Sequence, residues 1–266
     1  MLKAFCLVLF VVVGVFAFQG EPSKDVRTRL FKQIMAEDSE LRDCLKDQQD
    51  GSVTVPSEDE MTVEERDLNR DGVKEYEVQL SGVCACGAHN CTIYLYRRSG
   101  QRFESILDGA SGLGIELLNT STNGYRDLKI DAHNNAATVG STTYKFDGKR
   151  YRESGSTITN LETGESKPAF RRVQFQRGSS SAILKGKASI SLPDTYLIGA
   201  RAGQTMTVQL TAPRKSVRFL VMSPTTNLIA DNSRGWSGAL PENGDYTIIV
   251  DADEVGGTYT MTITIK

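Results

Sequence analysis

The sequence RGWSGALPENGDYTIIV, residues 234–250, decides the fold of the C-terminal part of the chain. It holds the single tryptophan, Trp236, then a segment punctuated by proline and glycine, then an alternating apolar strand at residues 246–250. Such alternation predicts a half-buried β-strand. Asn243–Gly244 favours positive φ, so we predict a tight hairpin turn there. A polar and aromatic loop displayed by a rigid β-scaffold is typical of a binding site.

The same two-residue period recurs throughout the C-terminal region. It is clearest in residues 206–211, 217–221 and 259–266, where apolar side chains alternate with polar ones. One buried face and one polar face per strand, with turn signals roughly every ten residues, are typical of an antiparallel sandwich. We therefore predict a mainly β protein in which residues 170–266 form an antiparallel β-sandwich.

Several motifs of this region carry a family resemblance. They are Phe175–Gly178, the strand through residues 196–202, Ala202–Gln204, and the pattern Trp236-x-Gly-x-Leu-Pro241 followed by Gly-Asp-Tyr246. This stretch resembles the bacterial pre-peptidase C-terminal β-sandwich and, within it, the periplasmic inhibitors of goose-type lysozyme. The resemblance implies a non-enzymatic domain that accompanies exoenzymes or blocks the cleft of a muramidase. The chain departs from a plain inhibitor because it carries an additional N-terminal domain.

The hypothesis for the displayed loop is insertion into the groove of a lysozyme-like muramidase. Trp236 is the expected aromatic anchor, since such residues dominate interface energetics. Hydrogen bonds to the partner are expected from the polar side chains of the loop, and Glu242 or Asp245 is expected to engage polar groups of the cleft. The predicted partner-binding residues are Trp236, Ser237, Gly238, Glu242, Asn243, Gly244, Asp245 and Tyr246. The alternative is that Trp236 and Tyr246 close one end of the sandwich and that Asp245 only caps the turn.

The N-terminus has the pattern of a secretory signal peptide at residues 1–17. Lys3 precedes an apolar run, residues 4–18, that is too short to span a bilayer. We predict cleavage after Ala17, with Gly20 as the other option, and an uncleaved anchor is the alternative. A periplasmic or secreted protein with no membrane span after cleavage is therefore expected.

Four further cysteines are an even number in an oxidising compartment, which favours disulfide bonds. Three pairings of Cys44, Cys84, Cys86 and Cys91 are formally open. We favour Cys86 with Cys91 and Cys44 with Cys84, which ties the N-terminal helix to the sheet. A zinc site in the Cys-x-Cys-x4-Cys cluster is the competing interpretation.

Residues 24–153 are predicted to form a helix followed by a small β-rich module. Apolar residues recur at helical spacing through Asp25–Lys46, and residues 37–39 are a possible division into two helices. Asn123–Gly124 and Asp147–Gly148 are hairpin signals between apolar runs. Residues 154–169 are rich in Ser, Thr, Gly and Glu, and we predict a linker there.

A short acidic loop in the module has the spacing of calcium ligands. Asp67, Asn69 and Asp71 alternate, Gly72 allows a sharp turn, and Glu75 follows. The EF-hand form fails because its twelfth position is Val78. The loop resembles the calcium loops of integrin-type and dockerin-like repeats, and the surrounding stretch to Tyr151 resembles a module frequent in exported bacterial proteins. The alternative is an Asx-rich turn that needs no metal.

No catalytic constellation is recognisable from spacing. Neither His89 nor His133 has the spacing of a zinc protease, and the glycines of residues 109–114 complete neither a nucleophile elbow nor a dinucleotide-binding pattern. The 31 basic and 33 acidic residues are scattered, so no electrostatic footprint for nucleic acid is present. We therefore expect an exported, non-enzymatic inhibitor of goose-type lysozyme acting through residues 236–246. The alternative is a calcium-stabilised adhesive or carbohydrate- or surface-binding exoprotein.

Overall fold

The computed structural model describes residues 22–47 and 61–266. The predicted signal peptide and residues 48–60 lie outside the described residues. Within the described ranges, no helix is both long enough and apolar enough to cross a membrane.

Two helices open the described chain, α1 (Lys24–Glu37) and α2 (Ser39–Asp47). The predicted division is confirmed: Asp38 leaves the helical conformation, and its Oδ1 accepts a hydrogen bond from the Leu41 backbone N–H at 2.7 Å. An aspartate that accepts from the first turn is a strong helix N-cap. One helix therefore ends and the next begins at the same residue.

The strands follow in chain order and account for most of the remaining chain. They are β1 (Met61–Arg66), β2 (Glu75–Leu80), β3 (Cys91–Ser99), β4 (Arg102–Gly112), β5 (Ile115–Thr122), β6 (Tyr125–Asn135), β7 (Thr138–Phe146), β8 (Tyr151–Asn160), β9 (Ser166–Pro168), β10 (Arg171–Arg172), β11 (Ser181–Ala188), β12 (Asp194–Ala200), β13 (Thr205–Thr211), β14 (Arg218–Met222), β15 (Leu228–Ser233), β16 (Gly235–Ala239), β17 (Gly244–Asp251) and β18 (Gly257–Ile265).

The N-terminal module has three layers. Strands β1–β4 form one antiparallel sheet in sequence order, and β5–β9 form a second. The helices pack against the first sheet through a cluster that includes Leu30, Ile34 and Tyr94. A separate cluster, which includes Ile93 and Leu128, joins the first sheet to the second. The first sheet is thus buried on both faces, which explains the nearly continuous apolar run of β3.

The helices are tied to the first sheet by polar as well as apolar contacts. Tyr94 donates to Asp38 Oδ2 at 2.6 Å, and Tyr96 donates to Glu37 Oε2 at 3.0 Å. Burial, reinforced by these carboxylates, raises the pKa of both tyrosines, so both remain hydrogen-bond donors. These bonds fix the junction of the two helices on the sheet.

Both favoured disulfides are present. Cys44 in α2 is bonded to Cys84, and Cys86 is bonded to Cys91 at the start of β3. The first bond ties the helix to the sheet, as predicted. The zinc interpretation of this cluster is wrong, because all four sulfur atoms are joined in pairs.

Glycine has a packing role where the chain crosses between the two sheets of the module. A Cβ atom on Gly112 would collide with the Ile130 side chain and lie 2.9 Å from the Asp131 carbonyl oxygen. The neighbouring Leu113 N–H donates to that same oxygen at 2.8 Å. Gly112 therefore allows a close crossing of the two backbones.

The hairpin prediction at Asn123–Gly124 is confirmed. Both residues have positive φ, 50° and 84°, and Thr122 pairs with Tyr125 across the two-residue loop. Asp147 begins the turn between β7 and β8, where its Oδ1 accepts from the Lys149 and Arg150 backbone N–H groups. Both turns join neighbouring antiparallel strands.

The structure differs from the predicted linker at residues 154–169. Residues 154–160 continue β8, which pairs along its length with β7, and β9 pairs with β8. A Ser- and Thr-rich composition indicates a linker, but these residues also suit a partly exposed strand when both neighbours supply hydrogen bonds. The connection to the C-terminal region is therefore short.

The C-terminal region is a two-sheet sandwich. One sheet has the order β10-β12-β17-β14-β15, and the other has the order β11-β18-β13-β16. All pairs are antiparallel except that of the short β10 with β12. Tyr246, Ile248 and Val250 are all fully buried at the core, as their alternation predicted.

Candidate binding surface at one end of the sandwich

The segment that carries the predicted binding residues crosses from one sheet to the other. β16 pairs with β13, whereas β17 pairs with β12 and β14. The prediction of a tight hairpin at Asn243–Gly244 is therefore wrong. Gly244 has a φ of +143° and begins β17, and a Cβ atom there would lie 2.9 Å from Pro224. Gly244 is needed because two loops pack closely there. An Asn-Gly sequence does not distinguish this situation from a hairpin turn.

Trp236 lies in β16 and not in a loop. It stands opposite the buried Val208, and its side chain is partly buried against the sandwich core. Its ring also covers Gly238, where a Cβ atom would lie 2.5 Å from the indole. Ser237 faces outward and shares a 2.8 Å hydrogen bond with the Thr207 hydroxyl. Trp236 and Gly238 thus form a packed unit at the edge of the sandwich.

Tyr246 is part of the scaffold. Its ring is fully buried, and its hydroxyl donates to the Glu242 carbonyl oxygen at 2.9 Å while accepting from the Glu242 N–H at 3.0 Å. The tyrosine therefore fixes the backbone of the segment that leads into β17. The predicted alternative, in which Tyr246 belongs to the core, matches this placement.

Three loops meet at this end of the sandwich and are bonded to one another. We call them the loop end, and they comprise residues 201–204, 223–227 and 240–243. The Ala202 N–H donates to Asn243 Oδ1 at 3.0 Å, and the Thr225 hydroxyl donates to Glu242 Oε1 at 2.8 Å. Backbone bonds join Gly203 and Gln204 to Leu240 at 2.9 and 2.8 Å. The loop end is thus a preorganised surface.

An exposed ion pair flanks the loop end. Arg172 in β10 donates to both carboxylate oxygens of Asp245, at 2.8 and 2.6 Å. The guanidinium hydrogen bonds hold the pKa of Asp245 below its usual range. Asp245 stands opposite Gly199 of the intervening β12, which has no side chain to block the pair.

The structure brings together only part of the predicted partner-binding set. Glu242 and Asn243 belong to the loop end, Gly244 and Asp245 follow them at the start of β17, and Trp236, Ser237 and Gly238 lie along β16. Arg172 was missed because it is 73 residues from Asp245 in sequence. The adjacent arginines Arg171 and Arg172 are the only sequence feature that could have drawn attention to this site. Their spacing does not indicate Asp245 as the partner.

The predicted calcium loop forms a network of Asx turns. Asp67 Oδ2 accepts from the Gly72 N–H at 3.2 Å, Asn69 Oδ1 from Asp71 N–H at 3.1 Å, and Asp71 Oδ1 from Val73 N–H at 2.7 Å. Glu75 turns inward, where Oε2 accepts from the Leu68 N–H at 2.8 Å. Burial raises the pKa of Glu75.

One atom of this loop supports the binding of a cation. Asp67 Oδ1 is buried and has no hydrogen-bond partner, which a bound cation would satisfy. Among the described residues, no group of three or more His, Cys, Asp or Glu side chains has a metal-holding arrangement. Calcium binding at Asp67, Asn69, Asp71 and Glu75 therefore stays a prediction.

Residues 171–265 thus define a small β-sandwich with a bonded loop end. No protein-family model matches the chain, and no curated protein matches it in sequence. Among solved structures, it is similar to PliG of Aeromonas hydrophila, a periplasmic lysozyme inhibitor of g-type lysozyme, at 30% identity, with 36% of this chain and 94% of that chain covered and a TM-score of 0.33.

Two further structures are similar over the same share of this chain. PliG of Salmonella Typhimurium is 23% identical, with 96% of its chain covered and a TM-score of 0.30. The pre-peptidase C-terminal domain of a Bacillus anthracis collagenase is 15% identical, with 92% of its chain covered and a TM-score of 0.28. Both groups that the C-terminal sequence resembles are therefore represented among these structures.

Proposed function

We propose that this protein is an exported, non-enzymatic inhibitor of goose-type (g-type) lysozyme that binds its target through the loop end. The motifs of residues 175–246 support the proposal because they resemble those of periplasmic inhibitors of this lysozyme class. The two disulfides support an oxidising compartment.

The observation that carries the proposal is the bonding of three loops into one exposed surface. Loops that are fixed before binding lose little conformational entropy when a partner docks, so a larger share of the contact energy becomes affinity. The surface offers both charge signs and an amide, from Glu242, Asn243, Asp245 and Arg172. Of these groups, the Arg172 guanidinium and the Asn243 amide are donors that suit a cleft whose catalytic residues are carboxylates.

The test is a bacterial lysis assay in which the full mature chain is added to goose-, chicken- and invertebrate-type lysozymes. We expect saturable inhibition of the goose type only. Inhibition of none of the three enzymes would sink the proposal. Equal inhibition of all three would contradict the specificity that it assigns.

Variants of two matched aspartates locate the site. Asp245→Ala removes a 46% exposed carboxylate paired with Arg172, and Asp253→Ala removes a 45% exposed carboxylate paired with Arg214 outside the loop end. We expect Asp245→Ala to weaken inhibition about 10- to 100-fold, as for a residue that contributes strongly to an interface. Asp253→Ala should leave inhibition unchanged. Equal effects of both variants would exclude the loop end as the contact.

The second candidate is a calcium-stabilised adhesive or carbohydrate- or surface-binding exoprotein. The observation that favours it is the buried, unpartnered Asp67 Oδ1 beside the turns of residues 69–73. In this alternative, calcium would order the loop before β2, and the sandwich would act as a surface-binding accessory. The two candidates differ in their dependence on calcium.

A further inference from the structure

The only two histidines of the chain meet in space although they are far apart in sequence. His89 lies in the connection between β2 and β3, and His133 lies in β6 of the second sheet of the module. Their ring centroids are 5.3 Å apart, and the ring planes are inclined by 53°. Their sequence spacing does not indicate this pair.

Both histidines are held in position by their neighbours. The Cys86–Cys91 disulfide closes the short loop that carries His89. The adjacent Asn90 then bonds twice to the backbone of His133: its Nδ2 donates to the His133 carbonyl oxygen at 2.8 Å, and its Oδ1 accepts from the His133 N–H at 2.8 Å. The amide of Asn90 therefore fixes the loop to β6 and sets the two rings side by side.

The separation of the rings suits shared coordination of one metal ion. A Zn–N bond of about 2.0–2.1 Å places each ring centroid about 3.2 Å from the metal, so a tetrahedral angle sets the centroids about 5.2 Å apart. The observed 5.3 Å agrees with that value. His89 is exposed and His133 is half-buried, so the pair is open to solvent.

We propose that His89 and His133 form a two-histidine binding site for Zn²⁺ on the surface of the N-terminal module. Imidazole is a preferred zinc ligand when neutral. No third His, Cys, Asp or Glu of the described residues completes a metal-holding group here, so water fills the remaining positions. This site differs from the cysteine cluster considered from the sequence, whose sulfur atoms are all in disulfides.

The test is calorimetric titration of zinc chloride into the full mature chain, purified without a histidine tag. We expect one zinc ion per chain. His89→Gln is the clean variant because this side chain is exposed, and His133→Gln tests the second ligand. Since two converging ligands gain at least about 100-fold over one, either variant should lose about 100-fold in affinity.

Two matched variants test the positioning role of the loop. Asn90→Ala retains both imidazoles but removes the two bonds to His133, and we expect affinity about 10-fold weaker, as for other groups that orient metal ligands. Asn134→Ala, a neighbouring exposed amide, should bind zinc like the unchanged chain. Acidification should release the ion because protonated imidazole is not a ligand.

Two outcomes would overturn the proposal. One is unchanged affinity in His89→Gln, provided that circular dichroism shows the fold intact. The other is one-to-one binding that persists in the double variant, which would place the zinc elsewhere on the chain.

Discussion

The indole of Trp236 covers Gly238 and packs against the core beside Val208, so its first role is to close the edge of the sandwich. Burial of such a ring removes a large apolar area from water. Because the ring is only partly buried, part of it stays accessible to a partner. Stability and partner binding are therefore separable properties of this residue.

Trp236→Ala should lower the free energy of unfolding by about 2 kcal/mol, less than the ~3–5 kcal/mol of a fully buried aromatic ring. Urea unfolding followed by circular dichroism measures the change. Ser237→Ala, one residue along the same strand and facing outward, should change it by less than about 0.5 kcal/mol. Unchanged stability of Trp236→Ala combined with lost inhibition would instead identify the ring as a partner-binding anchor.

Prediction from the sequence succeeded for buried residues and failed for pairs distant in sequence. The alternation of residues 246–250 placed Tyr246 on the core side, and its ring is fully buried. Arg172 was not predictable, because its contact with Asp245 depends on β10 and β17 flanking the same strand. The meeting of His89 and His133 likewise depends on the packing of one sheet against the other.

At the scale of elements, the segment from β9 to β10 joins the module to the sandwich through one buried carboxylate. Asp194 of β12 accepts from Lys167 at 2.9 Å and pairs with Arg171 at 3.0 Å. Tyr259 donates to the same carboxylate at 2.5 Å. Two basic side chains of the connecting segment, Lys167 and Arg171, thus bind the same carboxylate of the sandwich.

Asp194→Ala should destabilise the sandwich by about 3–5 kcal/mol, because it leaves the largely buried Lys167 charge without its carboxylate and removes the acceptor of the Tyr259 hydroxyl. Hydrogen exchange should increase in residues 166–172 before it increases in the rest of the chain. Glu254→Ala, an exposed acidic residue, should leave exchange in that segment unchanged. Equal protection of residues 166–172 in Asp194→Ala would show that β-pairing alone holds the segment.

The sequence predicted the positions of strands better than the nature of this connection. Residues 154–169 contain few large apolar side chains, Ile158 and Leu161, and such a composition is the usual mark of a linker. Their hydrogen bonds to β7, together with the Lys167 contact, supply the order that composition does not indicate. The hairpin prediction at Asn243–Gly244 fails for a related reason. A turn signal in the sequence does not specify whether the next strand joins the same sheet or the opposite one.

At the scale of the whole molecule, the proposed partner-binding surface and the predicted calcium loop belong to different halves of the chain. The loop end is built from β-sandwich segments, whereas Asp67–Glu75 leads into β2 of the module. The proposed inhibition therefore does not require calcium.

We expect lysozyme inhibition by the full mature chain to be the same in excess calcium and in a calcium chelator. Thermal unfolding under both conditions shows whether calcium stabilises the protein. The adhesive alternative would be favoured if the chelator abolished folding or binding and added calcium restored it. The Asp71→Asn variant should then show no such response to calcium. Asp147→Asn, a turn aspartate of the same module, is the control for a general effect of lost charge.

The chain carries one tryptophan and nine tyrosines, and the tryptophan lies in β16 of the sandwich. Tryptophan emission consequently reports on the sandwich alone, while far-ultraviolet circular dichroism reports on every strand. The two signals will coincide during denaturation only if both halves unfold together.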